Sequence, residues 1–287
     1  MEKILGHRIR QQLTEHKMKR ISALLLFTFS FCFAASIEVV STTSQIAAVV
    51  SEIGKDCVNI AVLIPPGICP GHYEIKPNDI KKLWNGGVLF YHGWEGFIDD
   101  ISKSVPGAGS RMFKIDVSGS WLVPEIQIKA AEKIADVLRN IDPERKKFYE
   151  TNLEFYKNQM KELDRKIKNF VYENNLIGIK VVCSEMQKYF LKYLKFDVID
   201  CFGRDEEITP GEIARLIDSI KNHKVKIIVS NLQSGTSTGE MLAKRTSVPH
   251  VIISNFPGGF ENTKTIEATI MKNINLLKTA AYNNTNR

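Results

Sequence analysis

Pro65-Pro66-Gly67-Ile68-Cys69-Pro70-Gly71-His72-Tyr73-Glu74-Ile75-Lys76-Pro77-Asn78-Asp79 is the stretch on which the fold turns. It follows an apolar, strand-like run, Val58 to Ile64, and leads into a helix starting near Asn78. Four prolines and two glycines stiffen and turn this backbone, so the segment is a shaped loop. It carries a thiol, an imidazole and a carboxylate on Cys69, His72 and Glu74. A rigid loop bearing such groups at the carboxyl end of a strand is where open α/β folds bind ligands.

Outward from this loop, strand and helix alternate. Strand-like runs are Ile37–Ser41, Val58–Ile64, Val88–Tyr91 and Met112–Ile115, with helical runs at Ser44–Ile53, Asn78–Trp84 and Phe97–Ser104. The β runs are short and continuously apolar, as in strands buried on both faces of a parallel sheet. The same order resumes after Gly178. Strands are expected at Lys180–Ser184, Val198–Cys201, Lys226–Ser230 and Val251–Ile253. Helices are expected at Gln187–Leu194, Pro210–Asn222, Gly239–Thr246 and Thr263–Thr279, with Thr209 and Thr238 as N-caps. Such βα order predicts parallel sheets wrapped by helices.

The middle of the chain differs. Pro124–Asn140 reads as helix, and a second run from Pro143 to about Asn174 follows, with Asp142 as its N-cap. Phe148, Leu153, Phe155, Tyr156, Met160, Leu163, Ile167, Phe170 and Val171 recur there mostly at spacings of three and four, without a strict heptad. At about 1.5 Å per residue, roughly 30 residues make a rod near 45 Å long, enough to cross between two lobes. The expected fold is therefore α/β: two lobes of parallel β-sheet flanked by helices, joined by one long backbone helix. The expected division is a leader at 1–36, an N-terminal lobe at 37–140, the linking helix at 141–176 and a C-terminal lobe at 177–287.

The chain's 287 residues, 25% charged and 44% hydrophobic, suit two globular lobes. Residues 1–35 hold six Lys/Arg and two Asp/Glu, so +4 of the formal +7 belongs to them and +3 to the rest. No basic run with interleaved aromatics is present, which argues against a nucleic-acid partner. Met18-Lys19-Arg20, then apolar Ile21–Ala35, then Ser36 reads as a signal segment. The run is shorter than the roughly 20 residues of a membrane span. An exported protein is expected, periplasmic or on the outer face of the cytoplasmic membrane, with an uncleaved anchor as the alternative. Cys32 invites a lipoprotein reading, but Phe31 stands where a small residue is wanted. Export implies an oxidising compartment. Cys57 with Cys69 and Cys183 with Cys201 are then either disulfides or buried free thiols, since sequence does not fix connectivity.

The loop at 65–79 resembles the P-x-G-x-D-P-H-x-Y-E-P-x-P-x-D signature of the zinc- and manganese-binding receptors of ABC importers, the cluster A-I solute-binding proteins. Pro65, Gly67, Pro70, Tyr73, Glu74, Pro77 and Asp79 stand on that pattern. Cys69 replaces the family Asp, Gly71 the metal-binding His and Ile75 a Pro, and a histidine follows one place late at His72. The resemblance runs through nearly all of 37–280. It implies a metal held between the lobes by four side chains, and delivery to a membrane permease. At the second ligand position stands Gly119, in Gly119-Ser120-Trp121-Leu122-Val123-Pro124. At the third stands Glu185, in Cys183-Ser184-Glu185. At the fourth stands Asn255, in Ile253-Ser254-Asn255-Phe256. Gln233 matches a glutamine common in the family.

One carboxylate and one amide make a poor site for Zn²⁺ or Mn²⁺, which want several N, O or S donors. Two readings follow. In the first, the ion site is rebuilt from Cys69, His72, His92 and Glu185, with Asn255, and takes zinc or manganese as transported cargo. In the second, the glycines open the cleft for a larger non-metal or metal-chelate solute, with Trp84, Trp94, Trp121 and Tyr73 as walls. Ser234–Gly239 lacks the Gly-Lys-Ser/Thr ending of a phosphate loop. No Ser/His/Asp set and no G-x-S-x-G is evident, so no enzyme is expected.

Overall fold

The computed structural model describes residues 35–84, 87–105 and 107–282. The leader up to residue 34, with Cys32, and the tail 283–287 lie outside the described residues, as does the Trp84 side chain. Among the described residues no helix is long and apolar enough to cross a membrane.

The first half holds β1 (Ile37–Ser41), α1 (Ser44–Gly54), β2 (Val58–Val62), α2 (Pro77–Trp84), β3 (Val88–Tyr91), α3 (Ile98–Ser104) and β4 (Met112–Lys114). Two helices follow, α4 (Pro124–Ile141) and α5 (Lys146–Glu173). The second half holds β5 (Lys180–Ser184), α6 (Lys188–Tyr193), β6 (Asp197–Phe202), α7 (Pro210–His223), β7 (Ile227–Asn231), α8 (Ser237–Thr246), β8 (His250–Ile253) and α9 (Ile266–Tyr282). Among the described residues the strands form two four-stranded sheets, ordered β2-β1-β3-β4 and β6-β5-β7-β8. Every pairing is parallel. The two halves thus repeat one winding, and all eight strands release their loops from carboxyl ends. In each sheet the chain changes direction of travel between the first and third strands, which is where such folds open a crevice.

The central strands are apolar because both faces are covered: Val39, Val40, Leu89, Phe90, Val181, Val182, Ile228 and Val229 are all buried. One core cluster runs from Val39 and Phe90 of the first sheet to Val181 and Val229 of the second. The long helix α5 belongs to it through Tyr149, Leu153, Tyr156, Met160, Leu163, Ile167 and Val171. These positions step by four and three in turn until the last step, a tighter seam than the whole apolar set suggests. Phe148 and Phe155 lie off the seam and are exposed, contrary to expectation. Tyr149, which the apolar pattern passes over, is buried because its hydroxyl finds the Asp142 carboxylate at 2.5 Å.

Cap chemistry separates two threonines. Thr209 caps α7 in a reciprocal box: its Oγ1 accepts from the Glu212 amide, and the Glu212 carboxylate accepts from the Thr209 amide at 2.9 Å. Thr209→Ala is expected to lower stability by about 1 kcal/mol, read as a shifted urea midpoint; an unchanged midpoint would show that the box is idle. Thr238 is not the N-cap of α8. The helix starts at Ser237, and Asp205 supplies the cap, accepting from the Ser237 and Thr238 amides at 2.9 and 3.0 Å. Asp142 likewise does not cap α5 through its side chain; that carboxylate is taken by Tyr149 and, at 3.0 Å, by Arg145.

Cys183 and Cys201 are register partners on adjacent strands, with sulfurs 3.7 Å apart. Among the described residues Cys57 and Cys69 make no such contact.

Candidate functional site

Each sheet builds a buried polar bridge at its crevice. In the first sheet, Thr42 and Thr43 after β1 face His92 and Glu95 after β3. The Glu95 carboxylate accepts from the Thr42 hydroxyl at 2.5 Å and from the His92 and Gly93 amides at 2.9 and 2.7 Å. Two successive amides converge on one anion only when the backbone turns sharply, and Gly93 does so at φ +104°. His92 Nε2 lies 2.9 Å from Thr43 Oγ1, which also caps α1. The imidazole stacks on Trp94 at 5.0 Å and meets Trp121 edge-on at 4.7 Å. Burial pulls the His92 pKa down to about 4, against the opposing pull of the Glu95 charge, so the ring is neutral at pH 7. In the second sheet, Gln187 after β5 donates to Asn231 Oδ1 at 2.9 Å, and Asn231 donates to Ser234 Oγ at 2.7 Å.

The loops from the two sheets meet. Gln233 donates to the Pro66 carbonyl at 2.7 Å and to Ser254 Oγ at 2.9 Å, while its Oε1 accepts from the Asn255 amide at 3.1 Å. Gln45 of α1 donates to the Asn255 carbonyl at 2.9 Å. His72 Nε2 reaches Glu206 Oε1 at 3.1 Å. The guanidinium of Arg204 packs over Gly71: a Cβ added there would lie 3.0 Å and 3.1 Å from its terminal nitrogens. Gln45, Arg204 and Glu206 escape a reading by sequence motif. The only signal for the latter two is the charged turn Arg204-Asp205-Glu206-Glu207 directly after β6.

The structure does not bring the five expected donors together. Glu185 is exposed at the end of β5. Asn255 is its neighbour through the Met186 carbonyl, which accepts from Asn255 Nδ2 at 3.5 Å. Cys69 and His72 share the 65–79 loop, but His72 is turned to Glu206. His92 lies within the N-terminal lobe, held by Thr43 and the two tryptophans. Among the described residues no three His, Cys, Asp or Glu side chains lie close enough to hold an ion. The expected Cys69/His72/His92/Glu185 set is thus not assembled here, because His72 and His92 are engaged elsewhere.

The other expected wall residues divide. Trp94 is exposed and Trp121 buried. The Tyr73 hydroxyl donates to Asp79 at 2.6 Å, which ties the loop to the start of α2. Burial raises the Asp79 pKa, but bonds from Tyr73, the Lys76 amide and Lys82 outweigh it and hold the carboxyl below its ordinary value. At Gly119 the backbone has φ +109°, and an added Cβ would meet Ile126 Cδ1 at 2.9 Å, so no other side chain fits without strain.

Comparison with known proteins completes the picture. The family described as "Zinc-uptake complex component A periplasmic" matches residues 39–280. The metal ABC transporter substrate-binding lipoprotein ScbA of Streptococcus cristatus is 28% identical over 247 residues, which is 75% of this chain and 78% of that protein. The manganese ABC transporter substrate-binding lipoprotein PsaA of Streptococcus mitis is 28% identical over 244 residues, 74% of this chain and 78% of that protein. A crystal structure of ZnuA superposes with a TM-score of 0.71 at 18% identity, covering 84% of this chain and 99% of that one. The Mn-bound periplasmic metal binding protein of Candidatus Liberibacter asiaticus gives 0.73 at 17% identity, covering 86% and 100%. At these identities the two structures establish the fold alone.

Proposed function

This chain belongs to the family of periplasmic zinc-uptake complex components, matched over residues 39–280, and from that membership we propose that it is the extracytoplasmic receptor of an ABC importer. Its cargo is a transition metal ion of the zinc or manganese type, captured between the lobes and passed to a membrane permease. The work is binding and not catalysis. The observation that carries this reading is the contact made across the lobes, with strand-end loops meeting through Gln233 to Pro66 and His72 to Glu206, and Gln45 of α1 reaching Asn255. Glu185 and Asn255 supply oxygen donors from the C-terminal lobe. Cys69 and His72 offer sulfur and nitrogen from the facing loop once His72 leaves Glu206.

A second reading turns on Arg204. Its positive charge stands over Gly71, and among the described residues its guanidinium has no acidic partner. A metal complexed by a small oxygen-donor chelator would meet Arg204 with its anionic side, whereas a bare ion would pair with the carboxylates of Asp205, Glu206 and Glu207 in the same turn.

Calorimetric titration of the full chain with Mn²⁺ and Zn²⁺, each alone and as the citrate complex, tests both readings. Near-stoichiometric uptake is expected, weakened by about tenfold or more in Glu185→Ala and in His72→Ala. Uptake of the citrate complexes only, lost in Arg204→Ala, would select the second reading. No response to any of the four would sink the receptor assignment.

A further inference from the structure

We propose that Cys183 and Cys201 form a disulfide, made by exchange with an external disulfide of the glutathione or thiol-oxidase class. Nothing in the metal-receptor reading calls for this pair: neither thiol is among the proposed donors, although Cys183 precedes Glu185 by two residues. The two residues face each other in register on β5 and β6. Adjacent strands stand about 4.8 Å apart, within the 4.4–6.8 Å between Cα atoms that a disulfide spans. The sulfurs are 3.7 Å apart and need to close to about 2.05 Å, a distance that side-chain rotation supplies. The β5–β6 register shifts at Val181/Val182, just ahead of the pair, so the ladder already has local slack there.

Accessibility sets the order of events. Cys183 is fully buried, while Cys201 is half-buried on the outermost strand of its sheet. The Cys201 thiolate attacks one sulfur of the external disulfide and expels the other as a thiolate. The Cys183 thiol then attacks Cys201 Sγ and passes its proton to the second external sulfur as that sulfur departs as a thiol. Two electrons pass from the cysteine pair to the external disulfide, and one sulfur–sulfur bond replaces another.

The bond would fasten an edge strand to its neighbour. From Cys201 the chain runs through Phe202 and Gly203 directly into Arg204 and Glu206, the arm that touches the N-terminal loop. The disulfide therefore anchors the root of that arm. An 18-residue separation closes a loop of the size for which cross-linking restricts the unfolded chain appreciably.

The test equilibrates the full chain with oxidised glutathione, caps remaining thiols under denaturing conditions, and maps peptides by mass without reduction. The expected product is one linked pair containing Cys183 and Cys201, lighter by two hydrogen atoms and separated by dithiothreitol. Reduction should lower Tm by about 5 °C or more in the native chain. It should leave the Tm of Cys201→Ser unchanged. Recovery of both cysteines capped, linkage of Cys201 to Cys57 or Cys69, or an equal Tm response in Cys201→Ser would each overturn the proposal.

Discussion

Glu95→Ala is expected to lower the unfolding free energy by about 3–5 kcal/mol, a large share of what a protein of this size has to lose. Glu95 is buried, yet its carboxylate has three donors: the Thr42 hydroxyl and the amides of His92 and Gly93. Alanine removes all three acceptor contacts and strands polar groups that water does not reach. Breaking a buried charged centre in this way is among the costliest single changes. Glu95→Gln retains the shape and one acceptor oxygen but turns a donor toward an existing donor, so an intermediate loss is expected. Urea unfolding of the three proteins decides the matter. A loss below about 1 kcal/mol in Glu95→Ala would mean that the carboxylate does not organise the crevice.

The neighbouring imidazole should give stability a marked dependence on pH. His92 has its pKa held down to about 4 in the folded protein, against 6.5 for the free side chain. Between those values the unfolded chain binds the proton and the folded chain does not. Stability therefore rises with pH through that window. The contribution is complete above pH 6.5 and drains away as pH falls towards 4. The gap corresponds to about 3 kcal/mol. Unfolding measured at pH 7 and pH 4 in the native chain and in His92→Gln isolates it, because other groups titrate in both. The native chain should lose about 3 kcal/mol more than the variant. Equal losses would show that the ring takes up its proton without leaving its place between Trp94 and Trp121.

The architecture was largely legible in the amino-acid order, because buried parallel strands must be apolar on both faces. Ile37–Ser41, Val88–Tyr91 and Lys180–Ser184 come out with the expected bounds for that reason. Thr209 was readable since its partner Glu212 is three residues away. Thr238 misled because the true cap, Asp205, arrives from another loop more than thirty residues earlier. Phe148 and Phe155 misled because an apolar side chain on a helix need not face the core. The site was harder to read. A resemblance along the chain marks where donors are missing at Gly71 and Gly119, but not what fills the space. Arg204 over Gly71, Ile126 against Gly119 and Gln45 reaching Asn255 are all contacts made across the fold.

The seam along α5 has a consequence for the entropy of capture. Seven of its side chains are locked into a core that includes both sheets, so the lobes have little independent articulation to surrender. Most of the ordering is complete once the chain has folded. On the proposed reading, cargo then meets lobes whose rigid-body freedom is already spent, and association need immobilise only the donor side chains and the loops that bear them.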